Sequence, residues 1–120
     1  MPADYRALER IARREFGDIL RASMLLGKRS QGSFKLRLAL RDTSFIDIWL
    51  SSSGKYSYHW ERRRQTGRLY RFDNAPHHPR LSTHPHHLHD EVDRTIRPSR
   101  FPRRPADQLR FVLKFARERF

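Results

Sequence analysis

The chain of 120 residues contains no cysteine, so neither a disulfide nor a thiolate metal site can form. Acids are scarce: 13 Asp and Glu stand against 26 Lys and Arg, a formal net charge of +13. Lysine is scarce too, with 22 of those cations arginine and only four lysine. Apolar runs long enough to span a bilayer as a helix are missing, which excludes a helical membrane protein. The start, Met1-Pro2-Ala3-Asp4, has none of the basic and apolar regions of a secretory signal, and the expected location is the cytoplasm. A Gly-rich phosphate loop of the form GxxxxGK[ST] is also missing, which argues against a P-loop nucleotide enzyme.

What remains describes a small, folded, basic domain. The length suits a single domain over residues 1–120 with a modest core. Hydrophobic residues make up 37% and charged residues 32%, yet eight Phe, four Tyr and two Trp are too many for a disordered basic tail. A GC-rich genome alone raises Arg over Lys, but it does not raise cations over anions. The surplus charge points to nucleic acid or to an acidic protein partner. Arginine suits the first, because its planar fork meets phosphate in two places and stacks on bases.

Periodicity gives the elements. Pro2 and Asp4 suit a helix start, and Tyr5, Leu8, Ala12 and Phe16 recur at helical spacing up to Gly17. Residues 19–28 are compatible with a strand. After the turn Ser30-Gln31-Gly32-Ser33, alternation is clean, with Phe34, Leu36, Leu38 and Leu40 on one face and Lys35, Arg37 and Arg41 on the other. Further strands follow at 45–50, 55–62 and 68–73, separated by Asp42-Thr43-Ser44, Ser51-Ser52-Ser53-Gly54 and Gln65-Thr66-Gly67. Six prolines from Pro76 to Pro105 make residues 74–104 a long loop, whose Arg94, Arg97, Arg100 and Arg103 read as an extended cationic arm. Pro105 and Asp107 open a last helix, with Leu109, Val112, Leu113, Ala116 and Phe120 as its buried stripe. The expected fold is α+β: an N-terminal helix, an antiparallel meander of four or five strands, a His-rich loop and a C-terminal helix.

Six of the seven histidines lie between His77 and His89, in the runs Asp73-Asn74-Ala75-Pro76-His77-His78 and Pro85-His86-His87-Leu88-His89. Cleavage of RNA without metal needs a base, an acid and a cation for the phosphorane charge. His77, His78, His86, His87 and His89, near Arg71 and Arg80 in sequence, contain all three. The same rings can instead bind a divalent ion, as His87 with His89 or His86 with His89, joined by Asp73 or Asp47. No common structural zinc spacing is matched, so which metal binds, if any, is open. A bland alternative is a solvated, pH-sensitive loop or rings capping backbone groups around the prolines.

Other candidates carry two readings each. Asp73 can orient an imidazole through its ring N–H, or it can simply turn the chain out of a strand beside Asn74. Tyr56, Tyr58 and Trp60 share a strand face, which suggests core beneath a helix ahead of a base-stacking platform. Asp47 sits in an apolar strand, and periodicity does not decide between surface and site. Arg62, Arg63 and Arg64 read as a solvated turn first and a phosphate contact second.

The run Tyr56-Ser57-Tyr58-His59-Trp60, then Arg71-Phe72-Asp73-Asn74-Ala75-Pro76-His77-His78-Pro79, then Pro85-His86-His87-Leu88-His89, resembles the TumE family of toxin–antitoxin toxins. The resemblance is specific over residues 54–89. It implies a small α+β toxin of prokaryotic mobile or defence loci, encoded beside an antitoxin that is often a helix-turn-helix protein, with RNA as the target. It carries over Tyr56, Tyr58, Arg71, Asp73, Asn74, His77, His78, His86, His87 and His89. Asp47 is the best match for an acid that usually precedes the tyrosine strand. The chain departs from the pattern at Asp42-Thr43-Ser44, where a glycine-bearing turn is common, and at Asp90-Glu91-Val92-Asp93, directly after the last histidine.

The expected activity is therefore a ribonuclease toxin. Its histidines and Asp73 would form the reaction centre, with Arg71, Asn74, Tyr56, Tyr58 and Arg80 holding substrate. A non-catalytic nucleic-acid-binding or metal-binding module is one alternative, and a toxin transferring a group to RNA is another.

Overall fold

A computed structural model describes residues 3–28, 33–90 and 95–120. Helix α1 (Ala3–Glu15) leads into strands β1 (Leu20–Lys28), β2 (Ser33–Leu40), β3 (Phe45–Leu50) and β4 (Tyr56–Arg62). A single helical turn, α2 (Arg63–Thr66), precedes β5 (Arg68–Asp73), β6 (His87–Asp90), β7 (Thr95–Pro98) and the closing helix α3 (Pro105–Arg117). The strands form one antiparallel sheet in the order β1-β2-β3-β4-β5-β6-β7. Pro2, the turn residues Ser30 to Gly32, the acidic Glu91 to Asp93 and Arg94 lie outside the described residues, as does the side chain of Asp4.

Two helices cover one face of the sheet. Tyr5, Leu8, Ala12 and Phe16 of α1, and Leu109, Val112, Leu113 and Ala116 of α3, are buried against the inward side chains of β2 to β5. Those side chains include Leu36, Leu38, Ile46, Ile48, Tyr56, Tyr58, Trp60, Tyr70 and Phe72. The Tyr5 hydroxyl donates to the Phe34 carbonyl at 2.9 Å and accepts from the Leu50 amide at 3.0 Å, fastening α1 across two strands. Arg110 on Glu15 at 2.9 Å and Arg117 on Asp18 at 2.6 Å tie α3 to the end of α1 and the turn after it.

Four expectations need correction. The meander has seven strands, not four or five, because the proline-rich stretch expected as loop contains β6 and β7. Both are four residues long, too short for alternation to register, and Pro98 ends the edge strand, where a missing amide costs no ladder bond. The second half of that stretch is a docked segment and not an extended arm: Arg97 lies in β7 and the buried Phe101 stacks on Tyr56 at 4.7 Å. Phe120 falls beyond α3 and is half exposed. Arg62 is no solvated turn residue; it is buried, with its guanidinium 3.2 Å from Asp42 and over the Trp60 ring.

The other face of the sheet matters for function. Since side chains alternate along a strand, the residues opposite the core positions all point away from the helices. Register then lines them up across strands: Arg37 opposite Asp47, Asp47 opposite His59, His59 opposite Arg71, and Arg71 opposite His89. Asp73 pairs with His87 one step along.

Candidate functional site

The pairing of β5 with β6 builds the site. It sets Asp73 beside His87 and Arg71 beside His89, so two sequence motifs 14 residues apart meet on the open face. The buried His87 brings Nε2 to 2.8 Å from Oδ1 of Asp73. His89 places its Nε2 3.3 Å from Oδ2 of Asp73 and 2.9 Å from Nε2 of His87. His78, from the loop after β5, closes the group with its ring centre 5.0 Å from that of His87. One ring nitrogen from each of His78, His87 and His89 lies within 4.8 Å of the others.

Neighbouring groups hold these rings in place. The carbonyl of Pro85 can only accept, so Nδ1 of His87 donates to it across 2.9 Å. Asp73 accepts from Nε of Arg71 and from the amide of Ala75, each at 3.0 Å. Burial first, and then the charge of Arg71, lowers the basicity of His89 although Asp73 opposes the shift. The arrangement can hold a proton or a cation among nitrogens and a carboxylate, next to a guanidinium that can face phosphate.

A cleft of about 350 Å³ opens over this cluster, with Arg71, Asp73, His78, His87 and His89 on its floor, the buried Tyr56 beneath, and Trp49, Lys55, Ser57, Asn74, Ala75 and His77 as its walls. A second cavity of about 320 Å³ adjoins it, sharing Trp49, Ser57 and Arg71 and continuing to Lys35, Arg37, Asp47 and His59. Asp47 is thus on the open face, gripped by Arg37 at 2.7 Å and Lys35 at 2.9 Å. Burial alone would raise its carboxyl, but those two cations outweigh it and hold it below the ordinary range.

A family model described as toxin TumE matches residues 8–120. The chain belongs to the TumE family. No curated protein and no solved structure matches it. Membership makes the protein the toxin of a toxin–antitoxin pair, with a cognate antitoxin as partner. Among the described residues no helix is long and apolar enough to cross a membrane.

Within this TumE chain the remaining candidates divide by place. His77 is exposed at the wall of the cleft, and Arg80 is exposed and does not line it. Asn74 lines the cleft but also works structurally, accepting from the Tyr56 amide and donating to the Gly54 carbonyl, both at 3.0 Å. Tyr56 is buried beneath the cleft, with its hydroxyl 2.7 Å from Nδ1 of His86. Burial, and secondarily Asp73, pushes that hydroxyl far above its usual range, so it keeps its proton and donates to His86. His86 in turn is made less basic by burial, then by Arg103 and His87. Tyr58 and Trp60 are core: Tyr58 bonds Gln108 of α3 at 2.9 Å, and Trp60 bonds Ser44 at 2.9 Å.

Sequence reasoning did not single out Trp49, Lys55 or Ser57. Trp49 remains 37% exposed at the cleft wall. A signal for it existed, since it shares parity with Asp47 on β3 while Ile46 and Ile48 take the buried face.

Proposed function

We propose that this toxin is a ribonuclease acting in the cytoplasm, with the cleft over Asp73, His78, His87 and His89 as its reaction centre. The observation that carries the reading is the convergence of three imidazoles and a carboxylate beside Arg71, at the floor of an open cleft on a strongly cationic protein. RNA cleavage requires an attacking oxygen to lose a proton, a leaving oxygen to gain one, and the phosphorane charge to be met. The inner cluster activates the attacking oxygen. His77, exposed at the cleft, exchanges protons with the leaving group and solvent. Arg71 and Lys55 hold phosphate, while Asp73 orients one of the two imidazoles that it touches. Residues 1–120 act as one domain, a reading supported by the single sheet and single core among the described residues. The antitoxin is a helix-turn-helix protein that meets the arginines through an acidic surface.

Expression without antitoxin tests this. Wild type should arrest growth, and Asp73→Asn, His77→Ala and His89→Gln should relieve the arrest while keeping the wild-type circular dichroism. Labelled RNA incubated with purified wild type should become shorter. RNA that grows longer or gains a label would show group transfer, and RNA that is bound but intact would show a binding module; either result sinks the ribonuclease.

A further inference from the structure

We infer that His78, His87 and His89, completed by Asp73, form a binding site for one divalent transition-metal ion of the zinc class. The inference concerns the same cleft as the proposed function and says what occupies its floor. It starts from three mutual contacts: His87 Nε2 to Asp73 at 2.8 Å, His89 Nε2 to Asp73 at 3.3 Å, and the two Nε2 atoms at 2.9 Å. A ring nitrogen offers one in-plane site, which is either a proton or a lone pair, and an ionised carboxylate only accepts. If both Nε2 atoms carry protons, the protons oppose each other. If one does, the other nitrogen's lone pair faces the carboxylate. If neither does, all three contacts set lone pair against lone pair. With Asp73 ionised, protons therefore leave at least one contact repulsive, whereas one cation among the three groups attracts every lone pair.

The tautomer of His87 supports this independently. Its Nδ1–H is committed to the Pro85 carbonyl at 2.9 Å, so the neutral ring presents a bare Nε2 to the cluster. Metal-bound histidines are fixed in that way, with the second nitrogen donating to a backbone carbonyl or carboxylate. Donors on a tetrahedral ion with bonds of about 2.0–2.1 Å lie about 3.3 Å apart. The contacts of 2.8 Å, 2.9 Å and 3.3 Å lie at or somewhat under that separation, and the three ring nitrogens all fall within 4.8 Å of one another. Imidazoles with one carboxylate suit zinc and its first-row neighbours, and not magnesium or calcium, which prefer oxygen throughout. His87 is buried while His78 and His89 are half-buried on the cleft floor, so one side of the ion faces the cleft beside Arg71. That open side is where a phosphate oxygen would meet a Lewis acid.

The test uses full-length, untagged protein stripped with a chelator and titrated calorimetrically with Zn²⁺. One ion per chain is expected. His78→Ala and His89→Ala should each weaken binding by more than about tenfold, while His84→Ala, exposed and off the cleft, should leave it unchanged. Co²⁺ in place of Zn²⁺ should give the visible bands of a low-symmetry, nitrogen-ligated ion in wild type and lose them in His89→Ala. Added Zn²⁺ should raise the melting temperature of wild type and not of the double variant His78→Ala/His89→Ala, which also reports that the variant folds. Absence of a stoichiometric ion, binding indifferent to both substitutions, or Mg²⁺ binding as tightly as Zn²⁺ would overturn the inference. Stripped protein that still cleaves RNA, and binds no Zn²⁺, would overturn it and leave the ribonuclease standing. One Zn²⁺ per chain in protein that leaves RNA intact would do the reverse.

Discussion

At the scale of single residues, the open face is organised by which carboxylate answers which cation. Asp73 takes Arg71 and two imidazoles, Asp47 takes Arg37 and Lys35, and Glu61 takes Arg63 at 2.7 Å with His59 at 3.5 Å. These acids do not do the same work. Glu61 is the structural one: hydrogen bonds from Arg63 lower its carboxyl from 4.5 to about 2. A depressed folded value means that its stabilisation is complete above the unfolded value and fades as pH drops through the folded one. Glu61→Gln should therefore melt below wild type at neutral pH, and the two should converge as pH falls from 4.5 toward about 2. Thermal melts across that window check it. The difference should be small, because Arg63 is largely exposed and water screens the pair. Curves that diverge on acidification would reverse the assignment.

At the scale of elements, the segment from Asn74 to Arg104 explains both what the sequence revealed and what it hid. The two helices and β2 to β5 were legible because their periods are long enough to count, and they bury the stripes their spacing marks, Phe120 beyond the end of α3 excepted. Asp73 and the paired histidines stood out by composition. What stayed hidden was their geometry, which depends on β6. His87 to Asp90 is a strand only because β5 offers it a ladder, and no local propensity favours His-Leu-His-Asp as one. The burial of His87 was equally invisible, since an imidazole in a proline-rich run reads as exposed. The segment is held by Phe101, which packs on Tyr56 at 4.7 Å and Phe72 at 5.4 Å, with Phe111 of α3 at 5.2 Å. The backbone amide of Ser99 adds a hydrogen bond to the Thr83 hydroxyl at 2.9 Å. Phe101→Ala should cost about 3 kcal/mol or more of unfolding free energy, as expected for a buried aromatic. It should also slacken the wall that sets His86 against Tyr56. Denaturant titration gives the first effect, and amide exchange over residues 84–90 the second. A loss under about 1 kcal/mol would mean that the segment is anchored elsewhere.

At the scale of the whole molecule, the fold separates two surfaces. The helices close one face of the sheet and leave the other with Lys35, Arg37, Lys55, Arg71 and the imidazoles around two adjoining cavities. Most acids among the described residues already have an arginine partner, so the formal +13 acts as surplus charge. A polyanion drawn by that field should release counterions on arrival, and its affinity should fall steeply as salt rises. For single-stranded RNA each neutralised phosphate contributes about −0.7 to the slope of log K against log salt. Lys55→Gln removes one exposed cation at the cleft and should flatten the slope by about that amount. Arg10→Gln, exposed on α1 and so on the covered side, should leave it nearly unchanged. Fluorescence anisotropy of a labelled oligonucleotide, followed over a salt series for the three proteins, gives the slopes. Equal flattening by both substitutions would mean that RNA is held by diffuse charge over the whole surface. The cleft would then have no privileged contact with the backbone, and the place of Lys55 beside the histidines would carry no information about where RNA lies.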